Sequence, residues 1–250
     1  MHLNLERQDL DIRKLTPYNI KSRGWIVMQF IKKGRFPEIR NRSFWFPTEW
    51  GWFKCPDYWT PGLFVPDYEP GVRKMVGSLR GSLFINVGAN VGLYTVIAAR
   101  NGNKVVAIEP SPKTFRCLSE TIKANGLRDR VSLVNAAAWR ENGMLKFYEA
   151  ADATVSHVEG VRDGDPRIKT VKQIVVEAVT LDALLEEEPS LILIDAEGVD
   201  EEVLRGAPRI IGQGVPVIFE AWTRKHLDAC KELLGTRRIT KLDERNYLAA

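Results

Sequence analysis

The rhythm of hydrophobic and polar positions changes near residue 83. Beyond it, short apolar runs bounded by turn formers alternate with segments whose apolar residues recur at helical spacing. Residues 83–87 read as a strand buried on both faces. Residues 93–100 carry a helical pattern that stops at Asn101-Gly102, and 105–109 form the next strand. Ser111-Pro112 supplies an N-cap and a first turn, and Phe115, Leu118, Ile122 and Gly126 complete that helix. Residues 131–135 read as a third strand, and 144–149 and 174–180 as further strands around a polar loop. Thr180 caps a short helix over 181–187, before a fourth core strand at 191–195. A helix over 199–206, a fifth strand at 215–221, a helix over 224–234 and a closing hairpin (237–242 with 245–249) finish the chain. This alternation predicts an α/β fold, a mainly parallel sheet with helices on both faces, whose ligands bind at the carboxyl ends of the strands.

The first eighty residues differ in texture. Trp25, Phe36, Phe44, Trp45, Trp50, Trp52 and Trp59 are among the aromatics crowded there, with Pro37, Pro47, Pro56, Pro61, Pro66 and Pro70 between them. Residues 1–80 are therefore expected to be an aromatic-rich extension or lid, and 81–250 the principal domain. The aromatics either complete the core or wall an acceptor site, since flat apolar faces suit sugar rings. Lys21, Arg23, Lys32, Lys33 and Arg35 flank an apolar run at 25–31, a pattern that suits peripheral contact with a membrane surface or a lipid-linked substrate.

The remaining composition narrows the field. At 44% hydrophobic and 27% charged the chain is of globular type, and no apolar run is long enough to cross a bilayer. Cys55, Cys117 and Cys230 are few, odd in number and widely spaced, which suits a reducing compartment and makes the cytoplasm the expected location. The net charge of +4 is too small to demand nucleic acid, and no zinc-finger or RNA-recognition spacing is present. There is neither a His-Glu-x-x-His metal motif nor a Gly-x-Ser-x-Gly elbow.

Chemistry concentrates at the strand ends. Gly88-x-Asn90-x-Gly92 turns out of the first strand, and Glu109 ends the second, where a carboxylate can accept both hydroxyls of a ribose. A dinucleotide site would prefer G-x-G-x-x-G facing a pyrophosphate, a spacing absent here, which argues against an NAD-dependent oxidoreductase. Asp195 and Glu197 follow the fourth strand. At alternate positions of an extended segment they would point the same way, where two carboxylates can bind an acceptor hydroxyl, accept its proton or hold a divalent metal. Glu220 ends the fifth strand as a supporting carboxylate. His157, in a loop between strands, is a lesser alternative base.

The glycine turn is similar to the first motif of class I S-adenosylmethionine (SAM) methyltransferases. The resemblance then becomes specific. Residues 85–95 (INVGANVGLYT), 107–112 (AIEPSP), 179–182 (VTLD), 192–198 (ILIDAEG) and 202–207 (EVLRGA), with Pro216-x-x-x-Glu220, resemble the FkbM family of SAM-dependent methyltransferases over the last two-thirds of the chain. Two positions depart from that pattern. Asn86 stands where Asp is common, so it can hydrogen-bond but adds no charge, and Ile194 stands where Lys is frequent.

The resemblance implies a class I, Rossmann-like sheet of seven strands and O-methylation of a hydroxyl, often on sugars or other natural products. On it, SAM is expected across Asn86, Gly88, Ala89, Asn90 and Gly92, with Glu109 on the ribose and Pro110, Ser111, Asn135 and Ala136 bordering the adenine. Asp195, Glu197 and Glu220 are expected on the acceptor side, without a metal. A saccharide, a glycolipid precursor or another small molecule is the expected acceptor. Methylation of nucleic acid or protein, and a non-catalytic SAM-binding module, are the alternatives.

Overall fold

A computed structural model describes residues 43–57, 59–159 and 168–250. Strands β1 (Phe44–Thr48) and β2 (Gly51–Cys55) form a hairpin, followed by a 3-10 turn at Thr60–Phe64 and helix α1 (Pro70–Ser78). Then come β3 (Leu83–Val87), α2 (Leu93–Arg100), β4 (Lys104–Ile108), α3 (Pro112–Ala124) and β5 (Val131–Val134). Four strands follow: β6 (Ala137–Ala138), β7 (Gly143–Ala150), β8 (His157–Val158) and β9 (Thr170–Val179). The chain closes through α4 (Leu181–Leu184), β10 (Leu191–Ile194), α5 (Asp200–Arg205), α6 (Pro208–Gly212), β11 (Val217–Glu220), α7 (Arg224–Leu234), β12 (Ile239–Lys241) and β13 (Asn246–Ala249).

The central sheet has seven strands in the order β12-β13-β11-β10-β3-β4-β5. β5, β4, β3, β10 and β11 are parallel, and β13 pairs antiparallel to both β11 and β12. Strand order reverses between β3 and β10, which opens the crevice where such sheets bind ligands. The two faces follow the period-two alternation of side chains. Ile85, Val87, Ile192 and Ile194 pack toward α5, α6 and α7, whereas Phe84, Leu191 and Leu193 pack toward α2 and the N-terminal segment.

The strands expected at 144–149 and 174–180 belong instead to a separate four-stranded sheet, β6-β9-β7-β8, and are longer than the sequence pattern implied. Its core is small: Ala137, Phe147, Val158 and Val176.

Seven of the eight residues of α2, Leu93 to Ala99, are buried. A helix that is apolar all round needs cover on its outer side. Phe53, Cys55, Phe64, Val72 and Val76 supply it, in one core with α2. The hairpin is fastened to α3, where Thr121 accepts from the Lys54 N–H (2.9 Å) and the Asn125 amide exchanges bonds with the Trp52 backbone (3.2 and 2.7 Å). These contacts satisfy part of an otherwise open strand edge. Within 43–80 the aromatic segment therefore completes the core. The basic stretch at 21–35 lies outside the described residues.

Candidate functional site

A cleft opens over the carboxyl ends of β3, β4 and β10, with about 910 Å³ of empty space including its open mouth. Its floor is the turn after β3. Gly88 has φ +72°, and a Cβ there would stand 1.8 Å from the carbonyl oxygen of Asp195. Glycine is thus required because the end of β10 passes against it, in addition to the left-handed backbone. The N–H groups of Gly88 and Ala89 both donate to the Ile108 carbonyl (3.0 and 2.9 Å), which ties this turn to the end of β4.

Asn90 is left-handed too (φ +49°). Asparagine tolerates this conformation because its side chain can satisfy the local backbone. Here its Oδ1 accepts from the Val91 N–H at 2.8 Å. The bend aims the Asn90 N–H at Glu109, donating to Oε2 at 2.9 Å, while the Ser111 N–H donates to Oε1 at 3.0 Å. Burial pushes the Glu109 carboxyl up to about 7, against the lowering effect of those two N–H groups, and the nearby Glu149 charge adds to the rise. A carboxylate offers about four lone-pair sites. With one backbone donor on each oxygen, Glu109 keeps capacity for two further donors, which is what a ribose diol requires.

The opposite wall is acidic. Asp195, Ala196 and Glu197 all line the cleft, but not as alternate positions of an extended strand. Glu197 is left-handed (φ +55°) and Gly198 follows at φ +96°, so the chain turns and brings both carboxylates inward. This corrects the geometric reason expected from sequence. Burial raises the Asp195 carboxyl well above the usual range, and Glu220, Glu197, Glu69 and Asp200 add to the rise. A raised carboxylate is better matched to proton transfer near neutrality.

The expected site residues do not all converge. Gly88, Ala89, Asn90, Glu109, Pro110, Ala136, Asp195 and Glu197 line the cleft. Asn86 does not: it faces α2, where its amide donates to the Thr95 hydroxyl at 2.9 Å in the core. Gly92 lies behind the turn as the first residue of the α2 cap, and a Cβ there would meet Leu118 at 2.7 Å. Ser111 and Asn135 act at one remove. Ser111 caps α3, and the Asn135 amide donates to the carbonyls of Glu109 and Pro110 (2.8 and 3.1 Å).

Glu220 is buried behind Asp195. It accepts from Trp222 Nε1 at 2.5 Å and pairs with Arg245 at 3.2 Å, and its N–H donates to Asp200 at 2.8 Å. His157 is a buried strand residue whose Nδ1 lies 3.1 Å from the Val155 carbonyl, with its ring stacked on Tyr148, instead of a loop base over the crevice. Among the described residues no cluster of three or more His, Cys, Asp or Glu is arranged to hold a metal ion.

Some lining residues were absent from the sequence reading. Leu63 and Tyr68 come from the N-terminal segment, Phe147 and Val158 from the separate sheet, and Thr154 and Ser156 from the connection between β7 and β8. Asp57 joins these two walls. Its Oδ2 accepts from the Ala153 N–H (2.8 Å), while Oδ1 holds the backbone of Trp59 and Thr60.

The sheet order, the glycine turn and the acid on the adjoining strand are those of a class I methyltransferase. The family profile for the methyltransferase FkbM domain matches residues 86–242. The chain belongs to the FkbM methyltransferase family. Among solved structures it resembles methyltransferase FkbM from Methylobacillus flagellatus KT (17% identity, TM-score 0.50, 69% of this chain and 45% of that one). It also resembles TYW2 of M. jannaschii, solved in complex with AdoMet (11% identity, TM-score 0.49, 86% and 87%). A probable cobalt-precorrin-6B C(15)-methyltransferase of Halobacterium salinarum is 31% identical over 104 residues, which is 42% of this chain and 52% of that protein. The chain thus spans about half the length of the curated relative it matches. Residues 43–80, which supply the Leu63 and Tyr68 wall, precede the matched region. No described helix is long and apolar enough to cross a membrane.

Proposed function

We propose that this FkbM-family chain is a SAM-dependent O-methyltransferase acting on a hydroxyl of a small polyhydroxylated acceptor, such as a saccharide or a glycolipid precursor, in the cytoplasm. The observation that carries this reading is one cleft with two unlike carboxylate sites. On one side Glu109 is preset by the Asn90 and Ser111 N–H groups. On the other, Asp195 is raised by burial beside Glu197.

SAM, when bound, supplies a methyl group already activated on a sulfonium. The protein then needs to orient an acceptor oxygen and take its proton. Asp195 is assigned the proton, since no described donor occupies its carboxylate and its raised state suits a base working near neutral pH. Glu197 is assigned to a neighbouring hydroxyl of the acceptor. Glu220 is assigned a supporting role, because its oxygens are engaged by Trp222 and Arg245 and its charge helps to raise Asp195. Leu63 and Tyr68 give the acceptor side one apolar and one phenolic surface.

Calorimetric titration with S-adenosylhomocysteine (SAH) tests the donor half. Transfer of labelled methyl from SAM to a panel of methyl glycosides tests the acceptor half. Asp195→Asn is expected to leave SAH affinity within about twofold and to lower transfer by roughly 10²–10⁴, the usual worth of a positioned base. Absence of SAH binding by the unaltered protein would overturn the assignment.

A further inference from the structure

Glu149 is a charged residue of the separate sheet that no part of the chemistry above uses. It shares a face of β7 with Phe147, two residues before it, and Phe147 lines the cleft. The register of β7 against β9 breaks between Glu149 and Ala150. The extra residue is Val171 on β9, so Glu149 itself stays in register opposite Lys172. From that face the Glu149 carboxylate reaches the start of α3, where Oε1 accepts from the Ser111 hydroxyl at 2.6 Å. The Ser111 side chain and N–H are thus all engaged. Its Oγ donates to Glu149 and accepts from the Thr114 N–H, and its own N–H donates to Glu109.

We propose that Glu149 is a positioning residue of the nucleoside site, holding Ser111 so that its N–H stays on Glu109 and governing how well Glu109 receives the ribose hydroxyls. This rests on the reading under Proposed function. A neutral anchor would serve the first task alone. A carboxylate adds a second effect, because its charge works against ionisation of Glu109 and so weakens the ionised, hydroxyl-accepting form at low pH. The other groups packed around Glu109 are the N–H donors of Asn90 and Ser111 and the Asn135 amide on its carbonyl, none of which titrates. Asp195 and Glu197 stand on the far wall of the cleft, and Glu149 is the charge that bears on Glu109.

Titration of the full chain with SAH across pH 6–8 tests this. SAH itself has no group titrating in that window. With Glu109 governed by a midpoint near 7, unaltered protein should bind SAH about tenfold more tightly at pH 8 than at pH 6. Glu149→Gln keeps an acceptor for Ser111 and removes the charge. It should lower the midpoint and shrink that ratio, with affinity at pH 8 unchanged within about twofold. Glu149→Ala should show the same shifted midpoint and lose several-fold in affinity at every pH, since Ser111 then lacks its anchor. Glu109→Gln should flatten the profile. A Glu149→Gln profile that superimposes on the unaltered one, or a Glu109→Gln variant that keeps its slope, overturns the proposal while leaving the donor assignment standing. No SAH binding at any pH overturns both.

Discussion

Helix α1 is capped from the far end of the chain. Its N-cap residue, Glu69, is left-handed (φ +45°) and gives the helix no side-chain cap. Asp243 does so instead: Oδ1 accepts from the Gly71 N–H at 2.9 Å and Oδ2 from the Val72 N–H at 3.0 Å. Each first-turn N–H would otherwise lack an intrahelical partner. Removing a cap costs about 1 kcal/mol, and more when the acceptor is charged, so Asp243→Ala should cost about 2–3 kcal/mol, allowing for partial exposure. In a chain of this size that lowers the melting temperature by about 5–10 °C. Asp243→Asn keeps one acceptor oxygen and should lose about half as much. Gly71 meets the same turn, where a Cβ would stand 2.7 Å from the Leu242 carbonyl oxygen, so Gly71→Ala pries apart the same contact. The double variant should therefore cost clearly less than the sum of the singles. Thermal and denaturant melts of the four proteins decide the matter. An Asp243→Ala protein melting within about 1 °C of the unaltered chain, or strictly additive losses, would refute the reasoning.

Three further perturbations test the site. Gly88→Ala places a Cβ against an unyielding carbonyl at a left-handed position, and should yield insoluble protein or a loss of at least about 3 kcal/mol; a soluble variant with an unshifted melt would contradict the close approach. Asn86→Ala should cost about 1–3 kcal/mol by leaving the Thr95 hydroxyl unpaired, yet hold SAH affinity within about twofold; a large affinity loss with unchanged stability would put Asn86 in the site after all. The folded Glu109 carboxyl titrates at about 7 instead of 4.5, so the stability it contributes is full below the unfolded value and is lost as pH rises through 7, by about 3 kcal/mol at most. Glu109→Gln should thus flatten the fall in melting temperature between pH 5 and pH 8, and parallel profiles would disprove the linkage.

The parts of the fold legible in the sequence are those specified locally. The buried run 83–87, the two glycines and the apolar helix after them lie within one stretch, and the ends of β3, β4 and β10 bring Gly88, Glu109 and Asp195 to the cleft. What escaped depends on distant partners. Pro47 and the aromatics of 44–55 do not read as a hairpin, and that hairpin is completed by Thr121 and Asn125 some seventy residues later. Helix α1 lacks its own cap signal because Asp243 holds it. Asn86 and Gly88 are two residues apart, and only the pairing of β3 decides that one points into the core and the other under the cleft. The reach of Glu149 depends on how β7 lies against the start of α3, a tertiary placement that a single strand pattern does not encode.

Among the described residues, Glu109, Asp57, Asp200 and Asp243 are preset by backbone N–H groups, not by cations. Glu109 takes two such donors, Asp57 takes those of Trp59, Thr60 and Ala153, Asp243 takes two, and Asp200 takes that of Glu220. An ammonium or guanidinium partner would hold each acid well below its usual range and compete for its lone pairs. An amide N–H fixes the geometry while leaving the opposing effect of burial dominant, as the raised states of Glu109 and Asp200 show. Arg245 on Glu220 is the nearby exception, and it stands one residue behind the cleft instead of in it. Among the described residues the cleft lining contains no Lys or Arg. A cleft built this way keeps its acids able to accept protons and hydroxyls near neutrality and sets no positive charge against a sulfonium. It also disfavours an acceptor that places a phosphate or carboxylate beside Asp195.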